Sequence, residues 1–121
     1  MTTMPSTDSL ETLRDTLRQF AAERDWDQFH SPKNLVMALS VEVAELMEHF
    51  QWLTAEAAMA LEPARQAAVR DELADVLLYL IRLADKLDVD LVAAGYDKVA
   101  KNALKYPADK ARGSMRKYTE L

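Results

Sequence analysis

Two pairs of acids have the spacing of a metal-binding helix face, Glu42-x-x-Glu45 and Glu72-x-x-Asp75. Residues three apart lie on one side of an α-helix, so each pair can hold one ligand jointly. Glu42 stands within an apolar stripe, between Leu39 and Leu46, and is therefore expected to face inward. An unpartnered carboxylate there costs on the order of several kcal/mol. Four such groups brought together repel one another unless cations neutralise them. Hard divalent cations that take oxygen ligands, Mg²⁺ or Mn²⁺, meet that need. A di-iron carboxylate site wants Glu-x-x-His pairs instead. Here Glu48 occupies that position after Glu45 and His49 falls one residue late, which disfavours iron. The competing reading is a set of solvated surface acids, ordinary in a chain with 20 acidic residues.

The elements that must position these acids are helices. Gly and Pro total six residues, about 5% against about 12% in average usage, while there are 19 alanines and 17 leucines in 121 residues. That balance leaves little room for a many-turned β fold and favours helix. A first helix is expected from Asp8, where Asp8-x-x-Glu11 resembles a capping box, with Leu10, Leu13, Leu17, Phe20 and Ala21 at helical spacing. Ser31-Pro32 offers an N-cap and a first-turn proline for a second helix over residues 32–52, striped by Leu35, Leu39, Leu46, Phe50 and Leu53. Thr54 caps a short Ala-rich segment that ends near Pro63. A long helix over residues 64–87 follows, its face formed by Leu73, Val76, Leu77, Leu80, Ala84 and Leu87. Leu78, Ile81 and Leu83 widen that face, so the helix is central to a bundle or buried between subunits. Asp88 or Asp90 caps a last helix over 91–106, stopped by Pro107. The expectation is an all-α bundle of four or five helices in a single domain over 1–121. Residues 1–8 are expected to be disordered and residues 107–121 to form a basic C-terminal arm.

The formal charge of −5 divides along the chain. Residues 1–94 carry 8 basic and 17 acidic groups, net −9, and residues 95–121 carry 7 basic and 3 acidic groups, net +4. Lys98, Asn102 and Tyr106 form one polar stripe on the last helix, and Lys105, Lys110, Arg112, Arg116 and Lys117 extend the basic end. Acids that hold metal beside a basic arm suit a polyphosphate, whose oxygens bind both. Simple charge complementarity between body and tail is the competing reading. Nucleic acid is disfavoured, because an acidic body repels a phosphate backbone. No cysteine is present, which excludes disulfides, thiol nucleophiles and Cys-ligated metals. Residues 1–9 lack the pattern of a signal peptide and the longest apolar run is only six residues, 76–81. No membrane span and a cytoplasmic location are therefore expected. Trp26, Trp52, Tyr79 and Tyr106 are candidates for a base pocket or for core packing, and His30 for a ligand contact or a loop hydrogen bond.

Taken together, these blocks resemble the all-α nucleoside triphosphate pyrophosphatases of the MazG-like superfamily, most closely the dCTP pyrophosphatases. The resemblance covers residues 20–121. It rests on FAAERDW (20–26), FHSPKNL (29–35), the Glu42/Glu45 pair, FQW (50–52), Glu72-x-x-Asp75 followed by VLLYL (76–80), and VDL (89–91). It continues through Lys98, Asn102, Tyr106-Pro107, RGS (112–114) and KYTEL (117–121). The resemblance implies Mg²⁺-dependent hydrolysis of a deoxynucleoside triphosphate, dCTP or a modified dCTP, to the monophosphate and pyrophosphate, a clean-up of the nucleotide pool. It implies metal ligation by Glu42, Glu45, Glu72 and Asp75, with Glu42 or Glu45 orienting the attacking water. Trp26, His30, Trp52, Tyr79, Asn102 and Tyr106 are implied as base and sugar contacts, Lys98, Arg112 and Lys117 as phosphate contacts, and Asn34 as a further substrate-binding residue. A homodimer or a dimer-of-dimers tetramer is implied as well. Animal dCTP pyrophosphatases carry a His one turn before FAAERDW where this chain has Leu17, and a longer 53–70 connector, which implies looser base discrimination. The alternatives are the same chemistry on dUTP or a broad nucleotide set, and a non-catalytic helical scaffold that binds metal or a partner.

Overall fold

The computed structural model describes residues 9–121, and all regular structure among them is helical. Six α-helices, two of them single turns, stand where four or five were expected: α1 (Leu10–Glu23), α2 (Pro32–Glu48), α3 (Ala55–Ala58), α4 (Pro63–Lys86), α5 (Leu91–Lys105) and α6 (Ala108–Ala111). Short 3₁₀ turns cover Asp27–Phe29 and Tyr118–Glu120. The chain divides into two compact units, one extending to Asp88 and the other spanning Val89–Leu121. The second unit carries seven basic and four acidic residues, so the charge division nearly coincides with the structural one. No helix among the described residues is long and apolar enough to cross a membrane.

Local chemistry sets most helix starts. Ser9 caps α1, its hydroxyl accepting from the Thr12 amide; the expected cap, Asp8, lies outside the described residues. Ser31 caps α2 by accepting from Asn34 N–H, with Pro32 in the first turn. Thr54 and Asp90 cap α3 and α5 through Ala57 and Ala93 N–H. Each such bond satisfies an amide that the helix itself cannot. α1 ends with Asp25 at φ 55°, where Asp25 N–H reaches the Ala22 carbonyl and Trp26 N–H the Ala21 carbonyl. That left-handed closure turns the chain sharply and sets Trp26 at the head of the connector.

Two expectations are corrected. α2 stops at Glu48, not near Trp52, because His49, Phe50 and Gln51 bond back in tight turns. The freed His49 carbonyl accepts from Arg65 at the start of α4 (2.8 Å), which ties the reversal down. The basic end is not an extended arm. It forms α6 and a 3₁₀ turn, and the Tyr118 ring meets Tyr106 edge-on at 6.0 Å with Lys105 over its face.

In the first unit α4 packs against both α1 and α2. The buried apolar set is small: Ala21, Leu35, Val69, Ile81 and Ala84. Of the apolar face expected on α4, Leu73, Leu77, Leu80 and Leu87 remain exposed. A second bond system reinforces this core. Arg18 of α1 grips both carboxylate oxygens of Asp85 on α4, the Nε bond at 2.7 Å. Asp85 is only 12% exposed, and this pairing holds its carboxyl below the usual range despite burial acting the other way. A depressed carboxyl stabilises the fold above its ordinary value of 3.8 and stops doing so as acid protonates it. Asp85→Asn is accordingly expected to lower unfolding stability by about 2 kcal/mol at neutral pH, as for a lost charge-assisted pair. In urea titrations the gap from the native chain should shrink below about pH 4; a gap independent of pH would refute the ion-pair origin.

Candidate metal and ligand site

α2 and α4 lie side by side, and this places the acid pairs against each other. Carboxylate oxygens of Glu42, Glu45 and Glu72 all fall within 4.8 Å of one another. Glu42 and Glu72 are half-buried, and the Oε2 atom of each is shut off from water with no hydrogen-bond partner. Desolvation, the approach of the Glu72 and Glu45 carboxylates, and the charge of Asp75 push the Glu42 carboxyl up to about 7. Such an arrangement is costly for a protein and suited to a cation. Its donors are all hard oxygens, and two of them lack any other partner. Asp75 contributes charge to Glu42 but is not within the 4.8 Å set. The structure thus draws three of the four expected ligands together and keeps the fourth nearby.

Trp26 and His30 form a second constellation on the α1–α2 connector. The Trp26 ring meets Phe20 edge-on at 5.7 Å and His30 at 6.4 Å, while the Arg24 guanidinium lies over the Phe20 ring. Trp26 remains 45% exposed, so part of its ring stays open beside these packing contacts. His30 Nδ1 lies 3.3 Å from Arg82 Nε and 3.2 Å from Arg82 Nη2. Asn34 spends its side-chain amide on the Phe29 carbonyl (3.0 Å) and so shapes the connector. Tyr79 is half-buried on α4, one turn beyond Asp75, whereas Trp52 projects almost fully into solvent. Lys98, Asn102, Tyr106, Arg112 and Lys117 all belong to the second unit and are exposed.

Arg82 was not legible as a site residue. It sits between Ile81 and Leu83 in an apolar run, yet is 5% exposed and bonded to Asp27 (3.0 Å) as well as His30. The available signal was its spacing: Glu72, Asp75, Tyr79, Arg82 and Lys86 recur at three and four residues and share one face of α4. Lys86 also bonds Asp27, and these two cations hold the Asp27 carboxyl below its usual range.

The model of the MazG-like family matches residues 37–121. Human dCTP pyrophosphatase 1 is 50% identical over 115 residues, which cover 93% of this chain and 68% of that protein. The mouse protein of the same name is 48% identical with the same coverage. Among solved structures, a pyrophosphatase from Archaeoglobus fulgidus DSM 4304 superposes with a TM-score of 0.78 at 38% identity, covering 88% of this chain and 99% of that one.

The strain in the acid cluster is measurable. Glu42→Gln removes a like charge from a half-buried set, so its melting temperature in chelator should rise by several degrees, as about 1 kcal/mol implies for a domain this size. Divalent cation should raise the melting temperature of the native chain by mass action and raise that of the variant far less. Equal responses in the two would remove Glu42 from the ligand set.

Proposed function

The chain belongs to the MazG-like family, and from that premise we propose that it hydrolyses dCTP or a modified dCTP to the monophosphate and pyrophosphate, with Mg²⁺ as its cation and Mn²⁺ as a substitute. It is a nucleoside triphosphate diphosphatase, in line with its pyrophosphatase relatives. The observation that carries the proposal is the trio Glu42, Glu45 and Glu72, with two buried oxygens that lack a hydrogen-bond partner and suit a cation. When bound, the cation offsets the charge of the phosphoryl oxygens and makes water more acidic. The protein's own part is to place the reactants. Glu42 or Glu45 accepts a hydrogen bond from the water and aims it at the α-phosphorus. The bond from that phosphorus to the bridging oxygen breaks as water adds, and pyrophosphate leaves in line. Trp26, Tyr79 and His30 are the proposed base and sugar contacts in the first unit, with Asn34 shaping their loop and Trp52 free to stack. Lys98, Asn102, Tyr106, Arg112 and Lys117 are assigned to the nucleotide from the family resemblance. The family match crosses the boundary at Asp88, which supports treating the chain as one domain.

Leu17 favours a second reading in which dUTP or other nucleotides are also accepted, since an apolar side chain there supplies no hydrogen bond to a base edge. A panel of dNTPs and NTPs, with and without Mg²⁺, distinguishes the two. The expected result is monophosphate plus pyrophosphate, fastest from dCTP, and none in chelator. Diphosphate plus inorganic phosphate would refute the cleavage position, and no turnover at all would favour a binding scaffold. Glu45→Gln should lower kcat at least about 100-fold while the chain stays folded, its melting temperature in chelator no lower than that of the native chain.

Self-association completes the proposal. Leu73, Leu77, Leu80, Ala84 and Leu87 repeat at four and three residues, the heptad spacing of a helix seam, and all but Ala84 are exposed. A homodimer or a dimer-of-dimers tetramer would cover them. Light scattering should give a mass of at least twice 13.7 kDa, and Leu77→Lys with Leu80→Lys should reduce it; a monomeric native chain would overturn this part. The cytoplasm, with its deoxynucleotide pools, is the proposed compartment.

A further inference from the structure

The Arg82 guanidinium is almost wholly buried, and its surroundings define what it can do. A guanidinium stays charged at every ordinary pH, has five N–H donors and accepts nothing. Both its Nε and Nη2 face the same ring nitrogen, His30 Nδ1, at 3.3 and 3.2 Å. Nδ1 must therefore offer a lone pair, which places the ring proton on Nε2. The acceptors nearby are already taken: Asp27 Oδ1 by Arg82 and Lys86, and the Asp85 carboxylate by Arg18 with Arg82 at 3.6 Å. Among the described residues, then, the charges that act on His30 are Arg82 and Lys86 against Asp27, and beyond Arg82 the Asp85 carboxylate pairs with Arg18, with Arg14 and Asp15 bordering that end. A second proton on His30 would add charge to a set that is already positive. Burial and the Arg82 and Lys86 charges accordingly push its pKa down, against the opposing pull of Asp27. The Trp26 ring, edge-on at 6.4 Å, holds the imidazole from another side. Among the described residues, none accepts from Nε2.

We infer that Arg82 is a positioning residue that locks His30 as its neutral Nε2–H tautomer, so that His30 meets a bound nucleotide as a hydrogen-bond donor to an acceptor such as a pyrimidine carbonyl oxygen. The choice of ligand rests on the function proposed above; the tautomer does not. Arg82 stands on the same face of α4 as Glu72, Asp75 and Tyr79, which connects the lock to the carboxylate end of that face. In this state His30 recognises substrate and does not shuttle protons, and it selects for a carbonyl against an amino group at the atom it meets.

Long-range ¹H–¹⁵N spectra of the full-length chain decide the tautomer directly, with His30→Gln identifying the signal. The expected pattern is an unprotonated Nδ1 and a protonated Nε2 that persist as the pH is lowered through the ordinary histidine range. A protonated Nδ1, a tautomer mixture or an imidazolium at neutral pH in the native protein overturns the inference. Arg82→Gln should yield a mixture and raise KM for dCTP about fivefold to tenfold with kcat little changed, the size of one hydrogen bond. Arg82→Lys, which keeps the charge, serves if the glutamine variant does not fold. Glutamine at position 30 presents an amide donor near the place of Nε2, so in the His30→Gln background the Arg82 substitution should no longer raise KM. An undiminished effect there means that Arg82 acts on the fold and overturns the positioning role. A chain that hydrolyses no triphosphate refutes the proposed function instead, and the spectra then support or overturn the lock by themselves.

Discussion

The constraint on which this structure depends is the mutual repulsion of carboxylates held between α2 and α4. Glu42 and Glu72 each keep an oxygen out of water without a partner, and Glu42 is pushed to about 7. Nothing in the local helix chemistry requires this; it persists only because the packing of α2 on α4 overrides it. That packing has modest apolar resources, with Leu35 and Val69 the largest buried contributions outside the far end of α4. The Arg18–Asp85 and Arg82–Asp27 pairs supply the remainder at that far end, where α1 and the connector are pinned to α4. A site that strains the middle of α4 is thus balanced by ion pairs near the C-terminal end of that helix.

α4 carries these roles along one face. Glu72, Asp75, Tyr79, Arg82 and Lys86 recur with helical spacing and span about 20 Å along the axis. Cation ligands, an aromatic ring and the His30 lock follow one another in that order. This order suits the parts of the proposed nucleotide substrate, polyphosphate first and base last, while the inferred tautomer stands on the contact of Arg82 with His30 alone. Arg82 also shows why an ion pair can be kept where a leucine would pack: a leucine offers no donor to Nδ1, and the imidazole would then be free to exchange its proton between two nitrogens.

Much of this was legible beforehand, and the pattern of success is physical. Ser31 and Thr54 cap their helices as read, and of the two candidates Asp88 and Asp90 it is Asp90 that caps α5, because a cap bond joins atoms only three residues apart. The acid pairs were legible for the same reason. What the spacing could not supply was the distance across α2 and α4, and so it grouped Asp75 with the trio although Asp75 lies outside the 4.8 Å set. The end of α2 was misplaced because Arg65, 16 residues on, takes the His49 carbonyl. The fold-back of the basic end depends on Tyr118 meeting Tyr106, a contact that hydropathy does not register. Arg82 was missed because its partners lie 52 and 55 residues away.

The exposed seam on α4 follows from the same geometry. Consecutive residues on a helix are separated by about 100°, so Leu73, Leu77 and Leu80 run along a face directly beside Glu72, Tyr79 and Arg82. A second copy docked on the leucines would leave the polar face open, and its own residues would border that face. The small core of a single chain and the one-sided wall of its ligand face are then two consequences of one arrangement. A chain that buried the seam within itself would gain stability and lose the surface on which the proposed second copy docks.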